Sequence, residues 1–153
     1  MVLNKKLLVG SILFTNILGF IFGLISRPSS FSGVAQPVFV PPSWVFIVVW
    51  VVIYTILGIS FYLILQSKDS RDRKWSIGLY FVNLVFNYLW VVWFFNFKLF
   101  LFAYIWLIVL IGITIVMIYF FYRVNKWAGI INVPYLFWLV FASIINIYVF
   151  YLN

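Results

Sequence analysis

The chain has 153 residues, 67% of them hydrophobic and 24% aromatic, with 10 Lys or Arg against 2 Asp or Glu and a formal net charge of +8. Soluble domains are about 45–50% apolar, so this composition is written for lipid. The chain lacks Cys and His, which excludes disulfides, Ser-His-Asp and Cys-His catalysis, and haem or metal centres built on those ligands.

The charged residues bound long uncharged runs at 7–26, 28–67, 75–97, 99–122 and 127–153. A charge at the bilayer centre costs roughly 2.5–3.5 kcal/mol, and a helical span needs about 20 apolar residues. The runs therefore predict an all-α fold, an integral membrane bundle of five transmembrane helices, as a single domain over 1–153.

The first span is predicted at about 6–26. A secretory signal is the alternative, given Lys5 and Lys6, but the apolar stretch exceeds the usual core of about 7–15 residues and no A-x-A cleavage site follows it. The span ends at Arg27-Pro28, since Pro disfavours helix in the residue before it. Within it Asn16, Gly19 and Gly23 form a small-residue seam, with the Gly-x-x-x-Gly spacing that allows close helix approach. A homodimer contact and packing within one chain both fit Gly19 and Gly23.

The connection from Ser29 to Ser43 is Ser-, Gly- and Pro-rich, a loop composition. Its Val and Phe content predicts that it packs on the bundle. The second span is about 43–66, with the Ser43 hydroxyl expected to cap it, and a charged turn follows from Gln66 to Lys74. The third span is about 75–95, and a tight turn from Asn96 to Leu99 makes the fourth, about 100–122, its antiparallel neighbour. The fifth is about 133–152, with Pro134 suited to a first helical turn or marking a kink there.

Lys5, Lys6, Lys68, Arg71, Arg73, Lys74, Arg123 and Lys126 fall on one side of such a bundle, against Arg27 and Lys98 on the other. The positive-inside rule then places the N-terminus in the cytoplasm and the C-terminus outside. Basic residues at span ends also account for the net charge without nucleic acid, since no basic patch with interleaved aromatics lies outside the membrane.

No span carries Asp or Glu, the groups proton-coupled transporters usually keep in the membrane, and none carries a lysine for a retinal Schiff base. No metal site is expected. The interior offers aromatic surface and neutral hydrogen bonds. Trp44, Trp75 and Trp127 lie at span ends and read as interfacial belt residues, whereas Trp50, Trp90 and Trp138 lie deeper. On the third span Tyr80, Asn83, Asn87 and Trp90 share one helical face. Trp50, Tyr54 and Gly58 repeat every four residues on the second, and Trp138, Ala142 and Asn146 on the fifth. Asparagine in hydrocarbon is costly unless paired, so these stripes face inward. Periodicity leaves two readings open: polar glue between helices, or a pocket with flat aromatic walls for a large planar apolar ligand.

The stretch Pro37-Val38-Phe39-Val40-Pro41-Pro42-Ser43-Trp44-Val45-Phe46, followed by Trp50 and Tyr54, resembles the K-P-x-x-x-P-P-x-W-V-F-x-x-V-W-x-x-L-Y segment of the translocator protein family, also called tryptophan-rich sensory proteins. Leu79-Tyr80, Asn87, Trp90 and Phe94-Phe95 resemble its third-helix motif. Pro134-Tyr135-Leu136, Trp138, Phe141-Ala142, Asn146 and Leu152-Asn153 resemble its P-Y-L-x-W-x-x-F-A ending. The resemblance implies a five-helix bundle, often a homodimer, that binds tetrapyrroles such as protoporphyrin IX. Family members also bind isoquinoline carboxamide and benzodiazepine-type drugs, and the animal ones cholesterol. By motif, Trp50, Tyr54, Asn87, Trp90, Trp138 and Ala142 would line the pocket, with Pro41 and Pro42 shaping its lid, and Asn83, on the same third-span stripe, is a further candidate. Porphyrin would be a ligand and no cofactor is required. The chain departs from the family pattern at Ser30-Phe31 (usually Trp-Tyr), Gln36 (Lys), Asn83 (Gln) and Phe150 (Trp). Arg27 is the candidate substitute for the missing lid lysine toward porphyrin carboxylates. No Lys or Arg follows Lys126, so the last helix lacks the proposed cholesterol motif.

The expected function is a membrane receptor or sensor for porphyrin-like ligands. The alternatives are a transporter of tetrapyrroles or lipids, or an enzyme degrading porphyrin through Trp50 and Trp138 radicals, an activity that some family members are reported to have. A membrane scaffold without a small ligand survives if the stripes are only glue.

Overall fold

The computed structural model describes residues 4–26 and 33–153. The helices are α1 (Lys5–Ser26), α2 (Ser43–Leu65), α3 (Arg71–Val91), α4 (Phe100–Val124), α5 (Lys126–Ile130) and α6 (Val133–Leu152), and α3 continues into a π-helical turn, Val92–Asn96. Five segments are long and apolar enough to cross a membrane: Lys5–Ser26, Ser43–Leu65, Arg71–Asn96, Phe100–Val124 and Lys126–Leu152. The chain is an all-α, multi-pass membrane bundle. Arg27 lies outside the described residues, so its expected role at the lid does too.

The ends of the spans follow local chemistry. The third begins at Arg71, not near 75, because Ser70 caps it: its Oγ accepts from the Arg73 N–H at 3.1 Å, and Asp72 puts an acid in the first turn. Ser43 does not cap α2. It is already helical, Pro42 holds the cap position, and no side chain caps there, since Pro42 brings no side-chain oxygen. The fourth span runs on to Val124, and the connection after it folds into α5, capped by Asn125 Oδ1, which accepts from Trp127 and Ala128. Pro134 sits in the first turn of α6, where its absent N–H costs nothing. Arg73 closes the end of α2, donating to the Ile64 carbonyl at 3.1 Å and the Leu65 carbonyl at 3.0 Å. Arg123 pairs with Asp72 at 3.1 Å, so the two charged connections meet at one end of the bundle.

Around the bundle α1 packs on α2, α2 on α5, α5 and α6 on α4, α4 on α3, and α3 returns to α1. No comparable backbone approach joins α2 or α3 to α6. That gap is bridged by large side chains. The α1–α2 seam is close because of glycine. A Cβ on Gly58 would lie 2.6 Å from the Ile12 Cα and 2.9 Å from the Ser11 carbonyl oxygen, and one on Gly19 would run into the Tyr54 ring. Asn16 adds a 3.3 Å bond to the Thr55 hydroxyl. Gly19 thus packs inside the protomer, while Gly23 faces open space. The first loop also lies on the bundle. Asn153 exchanges two 3.0 Å hydrogen bonds with the Ala35 backbone, and Phe39 packs edge-on against Tyr148.

Gly58→Ala is expected to lower stability by about 1–3 kcal/mol, the usual range for overpacking, because the obstacle is the α1 backbone. Gly23→Ala is expected to be neutral or slightly stabilising. Thermal unfolding in detergent measures both, and equal effects would contradict this seam.

Candidate functional site

The site is built from the stripes on α2, α3 and α6. Trp50 stacks on Tyr54 one turn on, with centroids 5.5 Å apart and planes at 25°. It also meets Trp90 of α3 at 6.4 Å and Trp138 of α6 at 6.4 Å, the latter edge-on at 86°. Phe46 closes on Trp138 at 5.6 Å, and Tyr54 reaches Tyr88 at 5.5 Å. Rings from three helices therefore fill the gap that α6 leaves against α2 and α3. Tyr54, Trp90 and Ala142 are buried, whereas Trp50 and Trp138 are half-buried. Pro41 is half-buried and Pro42 exposed, both just before α2. Trp44, Trp75 and Trp127 are exposed near helix starts, as belt residues should be.

Under the rings runs one continuous hydrogen-bond chain. The Tyr54 hydroxyl donates to Asn87 Oδ1 at 2.9 Å, and Asn87 Nδ2 donates to the Tyr135 hydroxyl at 3.0 Å. Tyr135 donates to Asn83 Oδ1 at 3.0 Å, Asn83 Nδ2 to Thr114 Oγ1 at 2.7 Å, and Thr114 to the Leu110 carbonyl at 2.7 Å. Each member accepts from the previous one and donates to the next, the arrangement in which hydrogen bonds polarise one another favourably. Four helices are tied by it. A second branch ties α1 to α3: the Thr15 and Tyr80 hydroxyls lie 2.5 Å apart, and Tyr88 donates to the Thr15 carbonyl at 2.7 Å. A third joins α3, α6 and α4, with the Trp90 indole on Asn146 Oδ1 at 3.1 Å and Asn146 Nδ2 on the Phe100 carbonyl at 2.8 Å.

The two asparagines are thus glue, fully buried and paired on both ends. The rings above them are the groups a ligand could meet. One polar atom among these rings is left over: the Trp138 indole N–H is buried without a hydrogen-bond partner. An unpaired buried donor costs about 1–3 kcal/mol, and it lies on the ring that faces both Trp50 and Phe46. Chemically the site offers flat apolar faces and, on Trp138, a buried unpaired donor.

The stripes that the sequence places on three spans meet in the structure: Trp50 and Tyr54, Asn83, Asn87 and Trp90, and Trp138 with the buried Ala142. Sequence reasoning missed Tyr135 and Thr114, the members that make the chain continuous. Tyr135 stands three residues before Trp138 and seven before Ala142, on the same helical face, and Thr114 is the one Ser, Thr, Asn or Gln between Phe100 and Tyr122. Both signals were present.

Tyr135→Phe strands Asn83 Oδ1 and Asn87 Nδ2 at once. It is expected to cost about 2–4 kcal/mol. Tyr54→Phe strands a single acceptor and is expected to cost about half as much. Unfolding in detergent tests the order, and a smaller loss for Tyr135→Phe than for Tyr54→Phe would contradict the chain.

The TspO/MBR family matches residues 11–152. A tryptophan-rich protein TspO of Archaeoglobus fulgidus is 32% identical, covering 99% of both chains. The tryptophan-rich sensory protein of Cereibacter sphaeroides is 27% identical over 86% of this chain and 82% of its own. The human translocator protein is 29% identical over 76% of this chain and 70% of its own. With its five spans and its ring cluster in the order of the family's motifs, the chain belongs to the TspO/MBR family of membrane proteins.

Proposed function

We propose that this protein is a membrane receptor or sensor that binds a flat, apolar tetrapyrrole of the protoporphyrin type among α2, α3 and α6. The observation that carries this reading is the meeting of Trp50, Tyr54 and Trp90 with Trp138 where the α6 backbone stays apart from α2 and α3. Large rings normally pack a bundle by interlocking with close backbones. Here they span a gap, and their mutual contacts are replaceable by contacts to another planar ring of like polarisability. Aromatic pairs add about 0.5–1.5 kcal/mol beyond area burial, so exchanging ring–ring for ring–ligand contacts is nearly neutral. Burial of the ligand's own apolar surface then drives association. The unpaired Trp138 N–H supplies one directional contact, to a carbonyl or carboxylate at the ligand edge.

Entry requires the rings to part. The first loop, held by Asn153 at Ala35 and by Phe39 on Tyr148, is the element to move. It covers the end of the bundle at which Pro41 and Pro42 lead into α2. The hydrogen-bond chain below the rings stays intact, because only the Tyr54 hydroxyl reaches up to them. By the distribution of Lys and Arg the N-terminus is cytoplasmic, which puts this loop on the outer side.

Titration of the purified protein with protoporphyrin IX, followed by tryptophan fluorescence, is expected to show saturable quenching. Trp50→Ala and Trp138→Ala are each expected to weaken binding about fivefold, the equivalent of one ring contact. Trp127→Ala, at the opposite end, is expected to leave it unchanged. Linear, non-saturating quenching, or equal affinity in all three variants, would overturn the proposal.

A further inference from the structure

An apolar recess lies far from the ring cluster, on the lipid-facing side where α4, α5 and α6 meet. It has a volume of about 370 Å³ and is lined by Ile115, Ile118, Tyr119, Tyr122, Ile130 and Val133. Its origin is local. Asn125 breaks the helix and restarts it as α5, and Gly129 lets α5 rest directly on α4, since a Cβ there would lie 2.6 Å from the Tyr122 Cβ and 2.8 Å from its backbone. The chain then turns into α6 at Val133, leaving a trough between the three helices.

The walls are apolar, but the charged end is not. The Arg123 guanidinium sits over the ring of the lining Tyr119, 5.8 Å from its centroid, with Nη1 at 3.5 Å from the Tyr119 hydroxyl. Its Nη2 pairs with Asp72, yet the side chain remains 52% exposed, and a guanidinium has five N–H donors, so N–H groups stay available. Lys126 precedes Gly129 and Ile130 by three and four residues, placing it on the face of α5 that borders the trough. It is exposed and has no ion-pair partner among the described residues. The neighbouring Trp127, 68% exposed, marks the headgroup level.

We propose that this recess binds one anionic phospholipid, with an acyl chain in the trough and the headgroup phosphate held by Arg123 and Lys126. Charge complementarity selects the occupant. The trough opens at the end of the bundle that carries Lys68, Arg71, Arg73 and Lys74 as well, against Asp69 and Asp72, and basic pockets between spans are where acidic headgroups are recognised. A zwitterionic lipid would fill the trough equally well but would place its own cation beside these two. The site is independent of the porphyrin reading, being formed by other faces of other helices.

The test is native mass spectrometry in detergent with an equimolar mixture of phosphatidylglycerol and phosphatidylcholine. The wild-type protein is expected to retain phosphatidylglycerol about tenfold over phosphatidylcholine, and Lys126→Gln with Arg123→Gln to lose that preference. Lys126→Gln alone, which leaves the Arg123–Asp72 pair in place, is expected to lose about half of it on a logarithmic scale. Ile118→Trp, which fills the trough and keeps both charges, is expected to reduce retention of phosphatidylglycerol. Lys5→Gln with Lys6→Gln, the same charge change at the same end, is expected to leave it intact. Equal retention of the two lipids, an equal loss in the Lys5/Lys6 variant, or a second copy of the chain retained in place of lipid would each overturn the assignment.

Discussion

The buried chain from Tyr54 through Asn87, Tyr135, Asn83 and Thr114 is the constraint on which the rest of the structure depends. In hydrocarbon, helices gain nothing from hiding apolar surface from one another, so shape and polar pairing must hold them. Each polar side chain placed there is costly until matched. This sequence places four such groups on three helices and a fifth on α4, and every one is satisfied by the next. Shifting α3 or α6 by one residue would break at least two of these bonds at once, and shifting α2 or α4 would break one. The chain therefore fixes rotation and depth of α2, α3, α4 and α6 together, which isolated Leu or Val contacts would not.

That fixed register is what allows the interior to be wide. Close backbones are reserved for the α1–α2 seam, where Gly58 and Gly19 remove the side chains that would hold the helices apart. On the far side α2 and α6 stand off and meet through Trp50, Trp138 and Phe46. A bundle held only by packing would close such a gap. This one is propped from beneath by hydrogen bonds, which also hold Tyr54 and Trp90, while Trp50 and Trp138 make no hydrogen bond among the described residues and meet the other helices through ring contacts alone. The proposed binding of a flat ligand rests on this separation of a bonded polar layer from a layer of ring contacts.

Much of this was legible in the sequence. Charge-free runs gave the five spans, because the cost of a charge in lipid leaves few exceptions. The four-residue repeats of Trp50 and Tyr54 and of Trp138 and Ala142, with Asn83, Asn87 and Trp90, identified the inward faces. Periodicity could not separate glue from pocket, since both demand an inward polar or aromatic stripe. In the structure Asn83 and Asn87 are buried and bonded at both ends, and the rings lie beside them. Helix ends were harder. The Ser70 cap was hidden by the charged residues after it, which looked like solvent-exposed turn, and Ser43 looked like a cap but follows a proline that already occupies that position. The five-residue α5 was too short to carry a period, although Asn125 before it was a capping signal.

The central claim is that an adaptable aromatic layer among α2, α3 and α6 receives a planar ligand while the layer beneath holds still. Fluorine NMR of protein labelled with 5-fluorotryptophan tests this most directly, with each resonance assigned by Trp→Phe substitution. On addition of protoporphyrin IX, ring currents should displace the signals of Trp50, Trp90 and Trp138, leaving those of Trp44, Trp75 and Trp127 where they were. Shifts confined to the three belt tryptophans, or no shift at any inner ring at saturating ligand, would contradict the account.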